Sequence, residues 1–502
     1  MLANRASCFF TRVLSFLAFA VLGFSTSNAF GGTASIATTT PGPTPFIQFV
    51  TATYSGRLQD VSYIIRPKAG SLTRPLVADY SASYLQRTGK LAGNSVTFSV
   101  FGLYAGSTND VVLLFTFEDG SFTIKQTKIT TTSYTAGCAA FESPTFTQNR
   151  TSTGQLHFDY FLMKSLCNPG VAEIIDTDGN LRWSGPTSTA GSTMSSALYE
   201  NGVYFGGGSS IFRMELTDTS IKTVGDYAAY KVQDFHHNLD RGRVGLVADV
   251  DTATETEAIN LEFDPITGKA LNQWDLGQII TAAMIAGGDD PSIFGPGTST
   301  RDWFHNNATT YNRADNTLIV SSRESFVIAV DYDTPPDGQK KIHWILGDPT
   351  KAWYQYPSLR KYALNLSPGT LPPSGQHAIS LDEKGNLLLF DDGEGSFNQF
   401  PQGQTRTYSA VREFILDTAR KTATAGFVYS ANPEIKSNFC GSVYEARGSY
   451  LVDFAQANNA YTLILQGLDD HKNVVFELDY PGNGCSVGWN AIPLKTSAFY
   501  FQ

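Results

Sequence analysis

The chain repeats itself from residue 137 to residue 502, and that repeat limits the folds open to it. One unit reads as three to four short strands closed by an Asp-rich turn. Residues 176–183 (DTDGNLRW) carry one copy of the turn, 264–274 (DPITGKALNQW) a second and 333–344 (DTPPDGQKKIHW) a third, with looser copies near Asp417 and Asp469. An earlier strand of each unit also recurs, at residues 202–207, 316–321, 386–391 and 449–453. Short antiparallel strands repeated over this length build radial blades or stacked coils. The period is long for a blade, so some loops must be extended. Six units can be counted, which predicts an all-β protein whose main domain is a six-bladed β-propeller spanning 137–502. Residues 278–286 (QIITAAMIA) predict one helical excursion, and 375–400 are too rich in Gly and Asp to be helical.

Ahead of the repeat, residues 45–132 alternate apolar and polar side chains in short stretches such as 46–54, 95–101 and 111–117, with Asp119-Gly120 as a hairpin signal. They predict a small immunoglobulin-like β-sandwich. Residues 30–44 (FGGTASIATTTPGPT) read as a Gly/Thr/Pro linker. Residues 1–29 read as a signal peptide: Arg5 and Arg12 precede a twelve-residue apolar run at 13–24, and Ser27-Asn28-Ala29 offers a cleavage site. The run is too short to span a bilayer, and no other stretch is long enough. The expectation is an exported, periplasmic protein without a membrane span.

The formal net charge of −10 becomes −12 once two arginines leave with residues 1–29. An acidic chain without basic tracts is a poor partner for nucleic acid. Cys8 also leaves, and Cys138, Cys167, Cys440 and Cys485 remain. An even number in an oxidising compartment predicts disulfides. Of three pairings, Cys138–Cys167 with Cys440–Cys485 is favoured, because each would tie off one end of the second domain. No CxxC or His/Cys zinc spacing is present, so no zinc site is expected, and the chemistry set out below calls for no metal or organic cofactor.

Three of the seven histidines fall at one point of the repeat. They lie in residues 234–238 (DFHHN), 303–307 (WFHNN) and 374–378 (SGQHA), with His305 following His236 by 69 positions and His377 following His305 by 72. Cys440 occupies the matching place 63 positions later. Each point lies just before the first strand of its unit. In a propeller those inner strands line the central channel, so equivalent positions converge on one mouth of it. A lone histidine at a strand start is usually structural, but three at equivalent positions favour a shared site at a concave, solvent-reachable mouth. Arg323, which follows the inner strands near His305, is either a surface ion-pair residue or an anion clamp.

The sequence resembles the bacterial arylsulfate sulfotransferases. The likeness rests on residues 302–306 (DWFHN), 321–323 (SSR), 344–347 (WILG) followed by Trp353, 376–378 (QHA) and 386–393 (NLLLFDDG). It covers the repeat, and the family's small N-terminal β-domain matches residues 45–132. The resemblance implies a propeller enzyme that moves sulfate from a phenolic sulfate ester to a phenol without a nucleotide sulfate donor. It implies His377 as the nucleophile, His305 as a sulfate-contacting or acid/base residue and Arg323 as the anion clamp. It also implies a further imidazole at the substrate, His236 or His237, with the internal repeat favouring His236. The partners implied are small aryl sulfates and phenols, and a homodimer is left open. Glu324 departs from the expected neutral or basic residue after the arginine. It either pairs with Arg323 or points to the other face of the strand.

The chemistry fits the residue types. A neutral imidazole can attack sulfur, and the resulting sulfohistidine splits the transfer into two steps with ping-pong kinetics. A second histidine can protonate the leaving phenolate and later deprotonate the acceptor. Two other classes compete. One is a non-catalytic exported propeller scaffold. The other is a quinone-cofactor dehydrogenase, which would need a metal-binding carboxylate cluster and stacked tryptophans that six scattered Trp residues do not obviously supply.

Overall fold

The structure is a computed structural model that describes residues 31–135, 138–142, 144–166, 172–186, 190–294, 302–494 and 498–502. The apolar N-terminal segment and its cleavage site lie outside the described residues.

The described residues form a β-sandwich followed by six further antiparallel sheets. Each of the six runs outward from an inner strand. These inner strands are Ser192–Tyr199, Val232–Arg241, Asn306–Asn312, His377–Leu381, Ser442–Ala446 and Asn490–Leu494. Successive inner strands lie against one another, which is the radial packing of a propeller. The ring closes at both ends of the chain. The late strand Asn490–Leu494 pairs with Tyr160–Lys164 inside the first sheet, and the early strand Thr145–Gln148 caps the outer edge of the last.

Burial explains the sequence patterns. A middle strand is covered by the neighbouring sheets on both faces, so it is apolar without alternation. Leu387–Asp391 and Phe326–Asp331 are of this kind, whereas the outer strand Ile221–Asp226 is largely exposed. The recurring Asp turn has one mechanism. The Asp carboxylate accepts from two backbone N–H groups ahead of it, mimicking a turn of main chain. Asp176 holds Asp178 and Asn180, Asp264 holds Ile266 and Thr267, Asp382 holds Lys384 and Asn386, and Asp469 holds His471 and Asn473. The expected helix is present as Leu276–Ala286, capped by Asp275 through Gln278 N–H.

Two expectations need correction. The stretch read as a linker carries an edge strand of the sandwich, Thr33–Pro41, paired with Ile47–Ser55. Its Thr-rich, mostly exposed face has no apolar alternation to betray it, although β-branched Thr suits a strand. The propeller segment also does not keep the chain's end. Ala498–Phe501 returns to the sandwich and pairs in parallel with Leu76–Ser81, with Phe501 stacked on Tyr80 at 4.6 Å. One continuous apolar core joins the sandwich to the first two propeller sheets through Leu162, Trp183, Phe205 and Met214.

Cys440 and Cys485 are bridged. Cys138 is disulfide-bonded as well, while Cys167 lies outside the described residues. The Cys440–Cys485 bridge links the last two inner-strand starts across 45 positions. Reducing it is expected to cost about 2–4 kcal/mol, measured as a fall in the urea midpoint when a reductant is added.

Candidate functional site

In four consecutive sheets the chain enters the inner strand through a left-handed residue: His237 (φ 44°), His305 (φ 55°), Ala378 (φ 50°) and Cys440 (φ 62°). A non-glycine residue there costs about 1–2 kcal/mol. In the first three, the strand register then slips, between His236 and Leu239, Asn306 and Ala308, and His377 and Ser380. Such bulges re-aim side chains. Here they turn His237, His305 and His377 into one cavity of about 540 Å³, walled also by Arg323, Trp489 and the Cys440–Cys485 bridge.

The sequence leaves His236 and His237 both open, with the repeat favouring His236. His237 lines the cavity, with its ring 4.7 Å from that of His305 and 5.0 Å from that of Trp489. His236 sits behind it, with its Nδ1 2.9 Å from His237 Nδ1. In the bare sequence the repeat aligns Phe235-His236 with Phe304-His305. The bulge makes His237-Asn238 the true counterpart of His305-Asn306, and that shared His-Asn pair was the usable signal. His343 lies apart, 2.7 Å from Asp331 on an outer face.

His377 is 5% exposed, and its Nδ1 lies 3.1 Å from the Gly375 carbonyl. A carbonyl only accepts, so that contact places the ring proton on Nδ1 and the lone pair on Nε2. Asp392 Oδ2 lies 2.7 Å from the same Nδ1. Burial, helped by the positive charge of Arg323 and of His305, holds the His377 pKa well below the ordinary histidine value. His377 is therefore neutral at neutral pH, with the lone pair on Nε2.

His305 is its opposite. Its Nδ1 lies 2.5 Å from Asp302 Oδ2 and 2.6 Å from Glu257 Oε2. Burial opposes the charge, but the hydrogen bonds to the two carboxylates outweigh it and lift the pKa to about 9. Glu257 is held well below the carboxylate range: burial works against it, and His237 and His305 more than compensate. His237, desolvated, is pushed well below the histidine range. The cavity thus holds one charged imidazole between two neutral ones.

Arg323 lies in the same wall, its backbone N–H donated to the His305 carbonyl at 3.0 Å. Its guanidinium packs 4.0 Å from the Phe397 ring centroid and 5.0 Å from that of Phe439. Glu324 does pair with it, accepting from Nη1 at 2.6 Å. That carboxylate is itself pinned by the N–H groups of Phe397 and Asn398 at 2.8 and 2.7 Å. Nε and Nη2 of Arg323 are buried with no partner among the described residues. An unpaired buried donor costs about 1–3 kcal/mol, and an oxyanion would satisfy both. Glu324 therefore fixes the fork without using it up.

Glu257, Asp302 and His305 keep their ligand atoms within 4.8 Å of one another, as do His236, His237 and Glu257. The 2.5 and 2.6 Å contacts at His305 Nδ1 are hydrogen-bond lengths. Two ligands on a tetrahedral zinc with bonds of about 2.1 Å would stay about 3.4 Å apart. The set suits a shared proton better than a metal.

Residues 146–490 match the family model described as arylsulfotransferase, and residues 51–132 match the arylsulfotransferase Ig-like domain. Two curated relatives are similar. The arylsulfate sulfotransferase AssT of Escherichia coli O6:H1 is 26% identical over 217 residues, covering 38% of this chain and 34% of the relative. The arylsulfate sulfotransferase AssT of Lelliottia amnigena is 25% identical over 184 residues, covering 32% and 30%. The chain thus spans about a third of the length of the curated relatives it matches.

Proposed function

The chain belongs to the arylsulfotransferase family, and on that footing we propose that it moves a sulfuryl group from an aryl sulfate ester to a phenol through a sulfohistidine at His377. The observation that carries this reading is the tautomer of His377. Its Nδ1 is committed to the Gly375 carbonyl, which leaves the Nε2 lone pair for attack by a residue that lines one cavity with Arg323.

In the first half-reaction His377 Nε2 attacks sulfur as the bond from sulfur to the aryl oxygen breaks. Arg323 Nε and Nη2 take the sulfuryl oxygens, whose charge must be stabilised in transfers of this type. The departing oxygen keeps the bonding pair and takes the proton of His305, whose Nε2 has no protein partner among the described residues. The Gly375 carbonyl, which accepts from His377 Nδ1–H, stabilises the positive charge on the sulfated ring. In the second half-reaction the acceptor phenol returns its proton to His305, its oxygen bonds to sulfur, and the pair of the N–S bond goes back to His377. Trp489, Phe397 and Phe439 supply flat apolar walls for the aryl groups.

The disulfide at the cavity and the signal-like residues 1–29 support a place outside the cytoplasm. No helix among the described residues is long and apolar enough to cross a membrane.

The pH profile tests the pairing of roles. His377 gains its blocking proton only well below the histidine value of about 6.5, and His305 loses its donatable proton as pH rises through about 9. The profile of kcat/KM for a phenyl sulfate donor is expected to be flat across neutral pH and to fall on the basic side near 9. A maximum confined below pH 7 would contradict the assignment.

A further inference from the structure

Glu257 has no counterpart among the residues singled out by motif, yet it touches both flanking histidines. It is a left-handed residue (φ 48°). Its N–H donates to Asp251 Oδ1 at 2.8 Å and its carbonyl accepts from Asn306 N–H at 2.8 Å. The backbone is therefore fixed between two adjacent sheets. The side chain places Oε2 2.6 Å from His305 Nδ1 and Oε1 3.9 Å from His237 Nδ1. The charged and titratable groups around it are His236 and His237 on its own sheet, Asp249 and Asp251 on the strand behind, and Asp302 and His305 on the next. Arg323 and His377 stand across the cavity.

We infer that Glu257 is the positioning residue that keeps the proton on His305, making His305 a general acid toward the leaving phenolate. The inference rests on the sulfuryl-transfer reading. Two carboxylates converge on one ring nitrogen that has a single proton to give. The group of Glu257, Asp302 and His305 therefore carries a net negative charge even with His305 protonated. After His305 has passed its Nε2 proton to the departing oxygen, both anions remain beside the neutral ring. They make it a strong base for the proton of the incoming phenol. Glu257 itself touches no substrate atom.

The test is Glu257→Gln, which keeps the shape and removes the charge. The basic limb of kcat/KM is expected to move down by about one pH unit or more. Donors with poor leaving groups, such as phenyl sulfate, should lose about tenfold more rate than 4-nitrophenyl sulfate, whose phenolate leaves with little need of a proton. An unmoved basic limb, or an equal loss for both donors, overturns the inference. Asp302→Asn supplies a second arm that does not depend on Glu257→Gln folding. It should retain a basic limb above the ordinary histidine range, and a collapse to that range would assign the role to Asp302 alone. The imidazole of His305, titrated by NMR in the wild type and the variants, reads the same shifts without turnover. A wild type that turns over no aryl sulfate would sink the sulfuryl reading while leaving the Glu257–His305 link to be judged by that titration.

Discussion

His377→Asn is expected to abolish sulfuryl transfer, with a loss on the order of 10⁶-fold, the scale seen when a covalent nucleophile is removed. Asparagine keeps a polar side chain beside Gly375 and Asp392 but has no basic nitrogen for sulfur. The other two cavity histidines cannot substitute. His305 is charged through its contacts with Asp302 and Glu257, so it has no lone pair to offer at neutral pH. His237 is neutral as well, but it stands beside the Glu257 carboxylate, which repels a sulfate ester, whereas the positive charge of Arg323 acts on His377. The variant should remain folded, because the pair it breaks is one contact to a carbonyl and one to a carboxyl that burial already pushes well above the usual range. Initial rates on 4-nitrophenyl sulfate plus phenol, with a thermal melt as a folding check, read this result.

Arg323→Met is expected to lower kcat by about 10²–10³-fold, the usual cost of removing a donor aimed at developing anionic charge. Lysine should restore little of it, since one ammonium cannot present two coplanar donors. The same change strips Glu324 of its Nη1 partner at a site where Glu324 is 1% exposed. Breaking a buried pair in this way can cost about 3–5 kcal/mol, tempered here by the Phe397 and Asn398 amides that still hold the carboxylate. Pairing Arg323→Met with Glu324→Gln separates the two effects. The double variant should recover melting temperature without recovering rate. Recovery of rate would mean that Arg323 acts through the loop it anchors and makes no contact with sulfate.

Much of this site could be read in advance because it is written in a repeat. Equivalent positions of successive units converge by symmetry, so His305, His377 and Cys440 could be brought together without a local motif. Of the Asp turns read in the sequence, those at Asp176, Asp264 and Asp469 share one side-chain hydrogen-bond pattern; Asp333 instead accepts from the Arg243 and Asn316 side chains, and Asp382, which shows the pattern, was not singled out. What escaped was whatever depended on a single inserted residue or on a loop. A bulge between His236 and Leu239 decides which imidazole faces the cavity, and bulges carry no fixed signature in sequence. Glu257 stands outside any motif; only the left-handed turn and its contact with the neighbouring sheet make it part of the site. Phe397, Phe439 and Trp489 arrive from three separate loops. The strands at Thr33–Pro41 and Ala498–Phe501 were hidden for a different reason. Both are edge strands: Thr33–Pro41 forms a local hairpin with Ile47–Ser55 but shows no apolar alternation, and the pairing of Ala498–Phe501 is fixed by docking on a strand about 420 positions earlier.

The central claim is that His377 carries the sulfuryl group, and mass spectrometry of its tryptic peptide tests it most directly. The protein is incubated with 4-nitrophenyl sulfate without an acceptor, quenched at alkaline pH and digested. The account predicts that the peptide bearing His377 gains the mass of one SO₃ group and loses it when phenol is added, with phenyl sulfate appearing in step. An unmodified His377 peptide during turnover, or the same mass on a peptide bearing His237 or His305, would contradict it.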